Sequence, residues 1–235
     1  MVQAKSKKGA PWTIISLGGS LFFPDQIDIE FIRSFKMLIE KHVKAGERFL
    51  IVAGGGKVCR RYQQAGRDLG AATQHESDWI GIHVTRLNAH FLRIIFGDLA
   101  HDEVITDPSA VKKASRPIVF GAGWEPGCST DQDAVLAARE VGAKRLINLS
   151  NTSYVYDKDP KTNPDARALK KLAWSEYRAL IPAEFSPGLN TPFDPVAARE
   201  AQKDRLEVVI INGAKLHNLE SYLAGKAFEG TVISG

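Results

Sequence analysis

The chain has 235 residues, 44% hydrophobic and 25% charged, with a formal net charge of +4. That composition fits a soluble globular protein of one large α/β domain or two small ones. Lys5, Lys7 and Lys8 carry part of the charge in an unpatterned tail over residues 1–11, expected to be disordered. The other basic residues alternate with acidic ones, so no nucleic-acid partner is expected. Cys59 and Cys128 make no CxxC pair and suggest no disulfide framework. No apolar run reaches transmembrane length, and no signal-peptide core opens the chain, so a cytoplasmic protein without a membrane partner is expected.

Trp12 to Leu17 reads as a first strand running into Gly18-Gly19-Ser20. Ile29 to Ala45 repeats apolar residues at helical spacing, and Gly46 stops it. Phe49 to Val52 is a second buried strand ending in Gly54-Gly55-Gly56, and Lys57 to Leu69 a helix. Ser77 or Asp78 opens a long helix to about Phe96, with Trp79, Ile82, Leu87, Phe91 and Ile94 as its apolar side. Val104-Ile105 forms a short strand and Pro108 to Ala114 a short helix. Ile118 to Phe120 is a strand that stops at glycine. Ser129 with Gln132 forms a capping box that starts a helix at about Thr130. Leu146 to Leu149 is the next strand, and a hairpin is expected around Tyr154 to Tyr156. Then come a helix over Trp174 to Leu180, a loop with Pro187, Gly188 and Pro192, a helix over Val196 to Lys203, a strand over Val208 to Ile211, a helix over Leu216 to Leu223 and a strand over Thr231 to Ile233. Apolar strands alternating with helices predict an α/β fold with a largely parallel sheet, as one domain over residues 12–235.

Three glycine-rich turns follow predicted strands: Gly18-Gly19-Ser20, Gly54-Gly55-Gly56, and Gly121 to Gly127. In an open parallel sheet such turns share the carboxyl edge, where ligands bind. Glycines let the backbone approach phosphate and aim N–H groups at it. One such turn is usually only a tight turn; three together favour a phosphate cradle. Asp131 lies in the first turn of the helix opening from the third, and a carboxylate beside an anion site points to metal or proton handling. Arg60, one turn into its helix, is placed to reach an anion; Arg61 and Arg67 read equally well as a solvated face. The chain lacks G-x-x-x-x-G-K-[ST], and Gly121-Ala-Gly123 with Gly127 is one residue too long for a dinucleotide fingerprint. The six histidines show no metal-ligand grouping, and no metal ligand is assigned. Tyr156 and Asp159-Pro160 after Asn151 suit a nucleoside pocket or a plain turn.

With these residues in place, the chain resembles the amino-acid kinase superfamily, and within it the uridylate (UMP) kinases of the archaeal-type branch. The resemblance runs from Ile14 to Ile233. It is carried by Ile15-Ser-Leu-Gly-Gly-Ser20, Val52-Ala-Gly-Gly-Gly-Lys-Val-Cys-Arg60 and Asp78-Trp-Ile-Gly-Ile-His-Val-Thr-Arg-Leu-Asn-Ala89, followed by Pro126-Gly-Cys-Ser-Thr-Asp131, Ser150-Asn151 with Val155-Tyr-Asp-Lys-Asp-Pro160, Asp194-Pro-Val-Ala-Ala198 and Gly230-Thr-Val-Ile233. It implies a three-layer αβα sandwich with a mainly parallel central sheet, transfer of the ATP γ-phosphoryl group to UMP, Mg²⁺, and a homohexamer built as a trimer of dimers. By motif match, Gly55, Asp78, Gly127, Cys128, Ser129, Thr130 and Asp131 would bind UMP. Gly18, Gly19, Ser20, Gly56, Arg60, Ser150, Asn151, Tyr156 and Asp159 would bind ATP, and Asp131 would orient cations or metal at the transfer site.

Three positions depart from the pattern. Many relatives carry a lysine where this chain has Ser16, and Lys57 is the expected substitute cation. The usual Asn-Val-Asp-Gly-Val-Tyr is here Asn151-Thr-Ser-Tyr-Val-Tyr156, and the preceding threonine is Ser150. Two other readings stay open on the same scaffold: a kinase for another small acceptor, and a non-catalytic nucleotide-binding or storage protein.

Overall fold

Five of the strands are short apolar runs buried on both faces, which suits a parallel sheet covered by helices on each side. The computed structural model describes residues 10–70, 73–184 and 191–235. The basic tail up to residue 9 and the loop positions Pro187 and Gly188 lie outside the described residues. In chain order the elements are β1 (Trp12–Leu17), α1 (Gly19–Phe22), α2 (Ile29–Lys44), β2 (Arg48–Ala53), α3 (Gly56–Asp68), α4 (Gln74–Phe96), β3 (Ile118–Gly121), α5 (Thr130–Val141), β4 (Arg145–Ser150), β5 (Val155–Tyr156), β6 (Ala168–Leu169), β7 (Lys171–Ala173), α6 (Trp174–Leu180), α7 (Pro195–Lys203), β8 (Glu207–Asn212), α8 (Leu216–Leu223) and β9 (Thr231–Ser234).

The main sheet has the order β3-β2-β1-β4-β8-β9-β7. Every pairing is parallel except β8 with β9. Alternation along the strands splits the core. Ile15, Phe49, Ile51, Phe120 and Ile147 face α2, α4 and α8. Ile14, Leu50, Val119, Leu146 and Val208 face α5, α6 and α7. The result is the expected three-layer αβα sandwich with a mainly parallel sheet. The helix α3 buries none of its residues and stands above the sheet edge rather than on its face.

The helix over residues 174–180 and the helix over 216–223 fall where the sequence puts them. Other expectations need correction. The long helix α4 starts at Gln74, not at Ser77 or Asp78, because Thr73 and Glu76 form a full capping box. Its apolar side was also misread. Ile82 is buried, but Leu87 is 70% exposed and Ile94 64%. The buried face instead carries Ser77, Thr85 and Asn88. Residues 108–113 form a 3₁₀ helix, and Ile105 makes only an isolated bridge to Gly121. Tyr156 lies in a two-stranded ladder with Ala168, closed by a long loop instead of a tight turn. Ser129 caps α5 by accepting from the Gln132 N–H, which is one half of the expected box.

Candidate active site

Parallel strands end together, so β1, β2, β3, β4 and β8 deliver five turns to one edge. The backbone stitches them there. Gly18 N donates to Leu149 O and Gly54 N to Leu17 O, each at 2.8 Å, and Gly213 N donates to Ser150 O at 2.8 Å. Gly19 and the Gly54–Gly56 turn touch backbone to backbone: a Cβ on Gly19 would overlap the Gly56 nitrogen and the Gly54 carbonyl. Gly56 has φ +68°, a left-handed conformation that only glycine adopts without strain. The first two glycine turns therefore form one unit.

Beneath that unit lies Asp131, in the first turn of α5. Its Oδ1 accepts from Ser16 Oγ on β1 and from Asn148 Nδ2 on β4, both at 2.8 Å. Its Oδ2 accepts from the Asp194 N–H at 3.2 Å. Burial pushes its carboxyl up to about 6; the three donors pull the other way, and neighbouring Asp194 adds to the rise. Asp194 is placed by a local device. The Tyr177 hydroxyl bridges the Phe193 carbonyl and N–H at 2.7 and 2.8 Å, Pro195 opens α7, and Asp194 Oδ1 caps it by accepting from Ala197 N at 2.7 Å. Asp194 Oδ2 and Asn148 Oδ1 are buried without a partner. Asp133, two residues further along α5, is 2% exposed. Burial pushes it up to about 7, against the pull of the Trp124 N–H and Arg86 and with Glu125 and Asp131 adding to the rise.

The third turn is held by α4. Gly127 N, at φ +86°, donates to Asp78 Oδ2 at 3.0 Å, so the structure brings those two predicted residues together. An open cleft of about 1150 Å³ runs between α3, α4 and this turn, lined by Gly55, Arg60, Asp78, Gly127, Cys128 and Thr130 among others. A second cleft of about 600 Å³ holds Ser20, Asn151 and Ala214. Lys57 lines both. Its ammonium pairs with Asp25 Oδ2 at 3.2 Å, and Arg61 takes the other Asp25 oxygen at 2.8 Å. Arg60 reaches Ser20 Oγ at 3.2 Å, bringing two further predicted residues into contact.

The remaining predicted residues are more scattered. Ser150 Oγ accepts from Thr152 N at 3.3 Å, and Asp159 Oδ1 accepts from Lys161 N at 2.9 Å, each closing a turn beyond β4. The Tyr156 ring packs edge-on against Tyr154. Cys128 is a free thiol pushed up to about 11 by burial and then by the charges of Asp133, Glu125 and Asp194. Among the described residues, no group of three or more His, Cys, Asp or Glu side chains could hold a metal ion, and no helix is long and apolar enough to cross a membrane.

Sequence reasoning missed Asn148, Asp194, Thr85, Arg86, Asn88 and Asp133 as site residues. The available signal was polarity in the wrong place. Thr85 and Asn88 interrupt the inward face of a helix, and Asn148 sits inside a buried strand. Buried polar side chains need a partner, and here the partners are backbone groups of the turns or the Asp131 carboxylate.

Glycine turns fused over a buried aspartate at the carboxyl edge of an αβα sandwich define a phosphoryl-transfer scaffold, and the chain belongs to the amino acid kinase family, whose model matches residues 11–212. Within that family its likeness is to uridylate kinases. It is 32% identical to uridylate kinase of Sulfurisphaera tokodaii over 224 residues, covering 94% of this chain and 97% of that one. It is 31% identical to uridylate kinase of Thermococcus kodakarensis, covering 94% and 98%. The crystal structure of uridylate kinase from Archaeoglobus fulgidus superposes with a TM-score of 0.82 at 32% identity, over 94% of this chain and 99% of that one. UMP kinase from Ureaplasma parvum, at 21% identity and a TM-score of 0.80 over 96% and 99%, shares the fold.

Proposed function

We propose that the protein is a nucleoside-monophosphate kinase that transfers the γ-phosphoryl group of ATP to UMP, giving UDP for pyrimidine nucleotide biosynthesis. One observation carries this reading: two clefts, one at Gly127 and Asp78 and one at Ser20 and Asn151, share Lys57, which directly follows the second glycine turn. Two substrates seated in them would meet over Asp131. UMP is assigned to the first, with Asp78 on the ribose and the backbone from Gly127 to Thr130 around the nucleotide. ATP is assigned to the second, its phosphates on the Gly18–Gly19 and Gly56 N–H groups with Arg60, and its nucleoside toward Ser150, Asn151, Tyr156 and Asp159.

Phosphoryl transfer asks little covalent chemistry of a protein; positioning and charge stabilisation lower the barrier. The N–H groups of the turns and of α5 face the edge where the transferred group would pass. Lys57 would leave Asp25 for the phosphates, supplying the cation that Ser16 cannot. Asp131 holds Ser16 and Asn148 in fixed orientation and keeps a carboxylate at the base of the transfer position. Mg²⁺ in such sites is held by one or two carboxylates plus substrate phosphates and would neutralise charge on the β- and γ-oxygens. Asp131 and Asp194 fit that role, because Asp194 Oδ2 is a buried oxygen without a partner.

A cytoplasmic homohexamer is part of the proposal. The free thiols suit a reducing compartment. Leu87 and Ile94 on α4 and Met37 on α2, each more than 60% exposed, supply an apolar face for subunit contact. The function is tested by ³¹P NMR of a mixture of protein, ATP, Mg²⁺ and UMP. UDP and ADP should appear in equal amounts. Nucleotide binding without UDP would instead favour a storage or binding protein, a reading kept in view by Ser16 in the lysine position.

A further inference from the structure

One rigid helix holds two of the three glycine turns. Asn88 Nδ2 on α4 donates to Gly54 O at 2.9 Å and Gly55 O at 3.5 Å. Thr85 Oγ1 donates to Ile82 O at 2.7 Å and accepts from Gly123 N at 2.9 Å. Between them Arg86 spreads its guanidinium across the next peptide: Nε donates to Gly123 O at 3.2 Å and Nη2 to Trp124 O at 3.0 Å. Gly123 has no room for a side chain, since a Cβ would lie 2.9 Å from Thr85 Oγ1. The Trp79 ring, 5.8 Å from the guanidinium, backs Arg86 from the other side.

Arg86 does not line the acceptor cleft. What it holds does. By taking two successive carbonyls it fixes how the chain leaves β3, and four residues later the Gly127 N–H meets Asp78.

We propose that Arg86 is a positioning residue of the acceptor cleft, setting the 121–130 turn through the Gly123 and Trp124 carbonyls. The inference rests on reading that cleft as the UMP site, and it separates from that reading because the turn can be observed without any substrate.

The test compares wild type with Arg86→Met and Arg86→Lys. Hydrogen–deuterium exchange without nucleotide should rise about tenfold or more over residues 121–130 in Arg86→Met. It should stay unchanged over residues 50–58, which Asn88 holds. The UMP KM should rise by about 10- to 100-fold, as expected for a misplaced binding turn, with the ATP KM within about twofold. Arg86→Lys, with charge but no fork, should fall between, and it serves for the same comparison if Arg86→Met does not fold. Unchanged exchange over 121–130, or equal rises in both KM values, would overturn the proposal. Absence of UMP turnover in wild type would count against the function of the cleft and not against the exchange result.

Discussion

Asp131→Asn separates a chemical role for this residue from a structural one. Three donors meet its carboxylate, two on Oδ1 and one on Oδ2. An asparagine with its oxygen at Oδ1 keeps the bonds from Ser16 and Asn148. Its amide nitrogen then faces the Asp194 N–H, donor against donor, which costs about 1–3 kcal/mol. Against that stands relief of a buried charge. The carboxyl is raised from 3.8 to about 6 in the folded protein. Above pH 6 the folded state therefore carries a penalty of about 3 kcal/mol that the variant loses. The two effects nearly cancel at pH 8. At pH 5 the wild-type carboxyl is already largely protonated when folded, so less penalty remains to be relieved. The variant should then be less stable relative to wild type at pH 5 than at pH 8. Urea unfolding at the two pH values measures this, with an expected change within about 2 kcal/mol at pH 8. Turnover should nonetheless fall by about 10²-fold or more, the loss expected for one preorganised charge at the reacting centre. The wild-type kcat should also decline below about pH 6, as Asp131 protonates, and the variant should lack that limb. Near-normal turnover in a folded variant would refute the reasoning and leave Asp131 as a structural tie between α5, β1 and β4.

Lys57→Met should lower kcat strongly with the ATP KM nearly unchanged, whereas Arg60→Met should raise the ATP KM as well; an unaltered kcat for Lys57→Met in steady-state assays would mean that Lys57 stays with Asp25 throughout the cycle. Asp133→Asn should stabilise the protein by about 1–4 kcal/mol at pH 8 and by almost nothing at pH 4, since the folded carboxyl, raised from 3.8 to about 7, holds a proton that the unfolded chain loses across that window. Flat pH dependence of the difference in urea midpoints would show that Asp133 is not carried as a buried charge. Sedimentation velocity should give a hexamer, and a charge at Leu87 or Ile94 on the exposed side of α4 should shift it to smaller species; a monomeric wild type would rule that assembly out.

Strands β1, β2 and β3 and their turns were legible because each is a short apolar run that stops at glycine, whereas β6 and β7 lie in a polar stretch with no such run and were not read. The start of α4 was misplaced because the capping pair Thr73 and Glu76 precedes the first apolar residue of the helix, where the eye looks for periodicity. Its inward face was misread for a physical reason. Thr85 and Asn88 are buried to serve carbonyls and N–H groups of turns that are 34 and 38 residues away in the chain. Periodicity reports only apolar burial, so it turned the helix the wrong way and left Leu87 and Ile94 inside. Lys57 lines both clefts, but its partner Asp25 sits 32 residues earlier in an unpatterned loop. Asn148 and Asp194 were invisible as partners of Asp131, because only the sheet order puts β4 beside β1 and brings the start of α7 over both.

The central claim, phosphorylation of UMP, is tested most directly by initial rates of ADP release with UMP, CMP, AMP, GMP and dUMP as acceptors under the same ATP and Mg²⁺. The account predicts that UMP has the highest kcat/KM of the five. AMP or GMP phosphorylated at least as efficiently as UMP, or ADP release that does not depend on any of them, would contradict it.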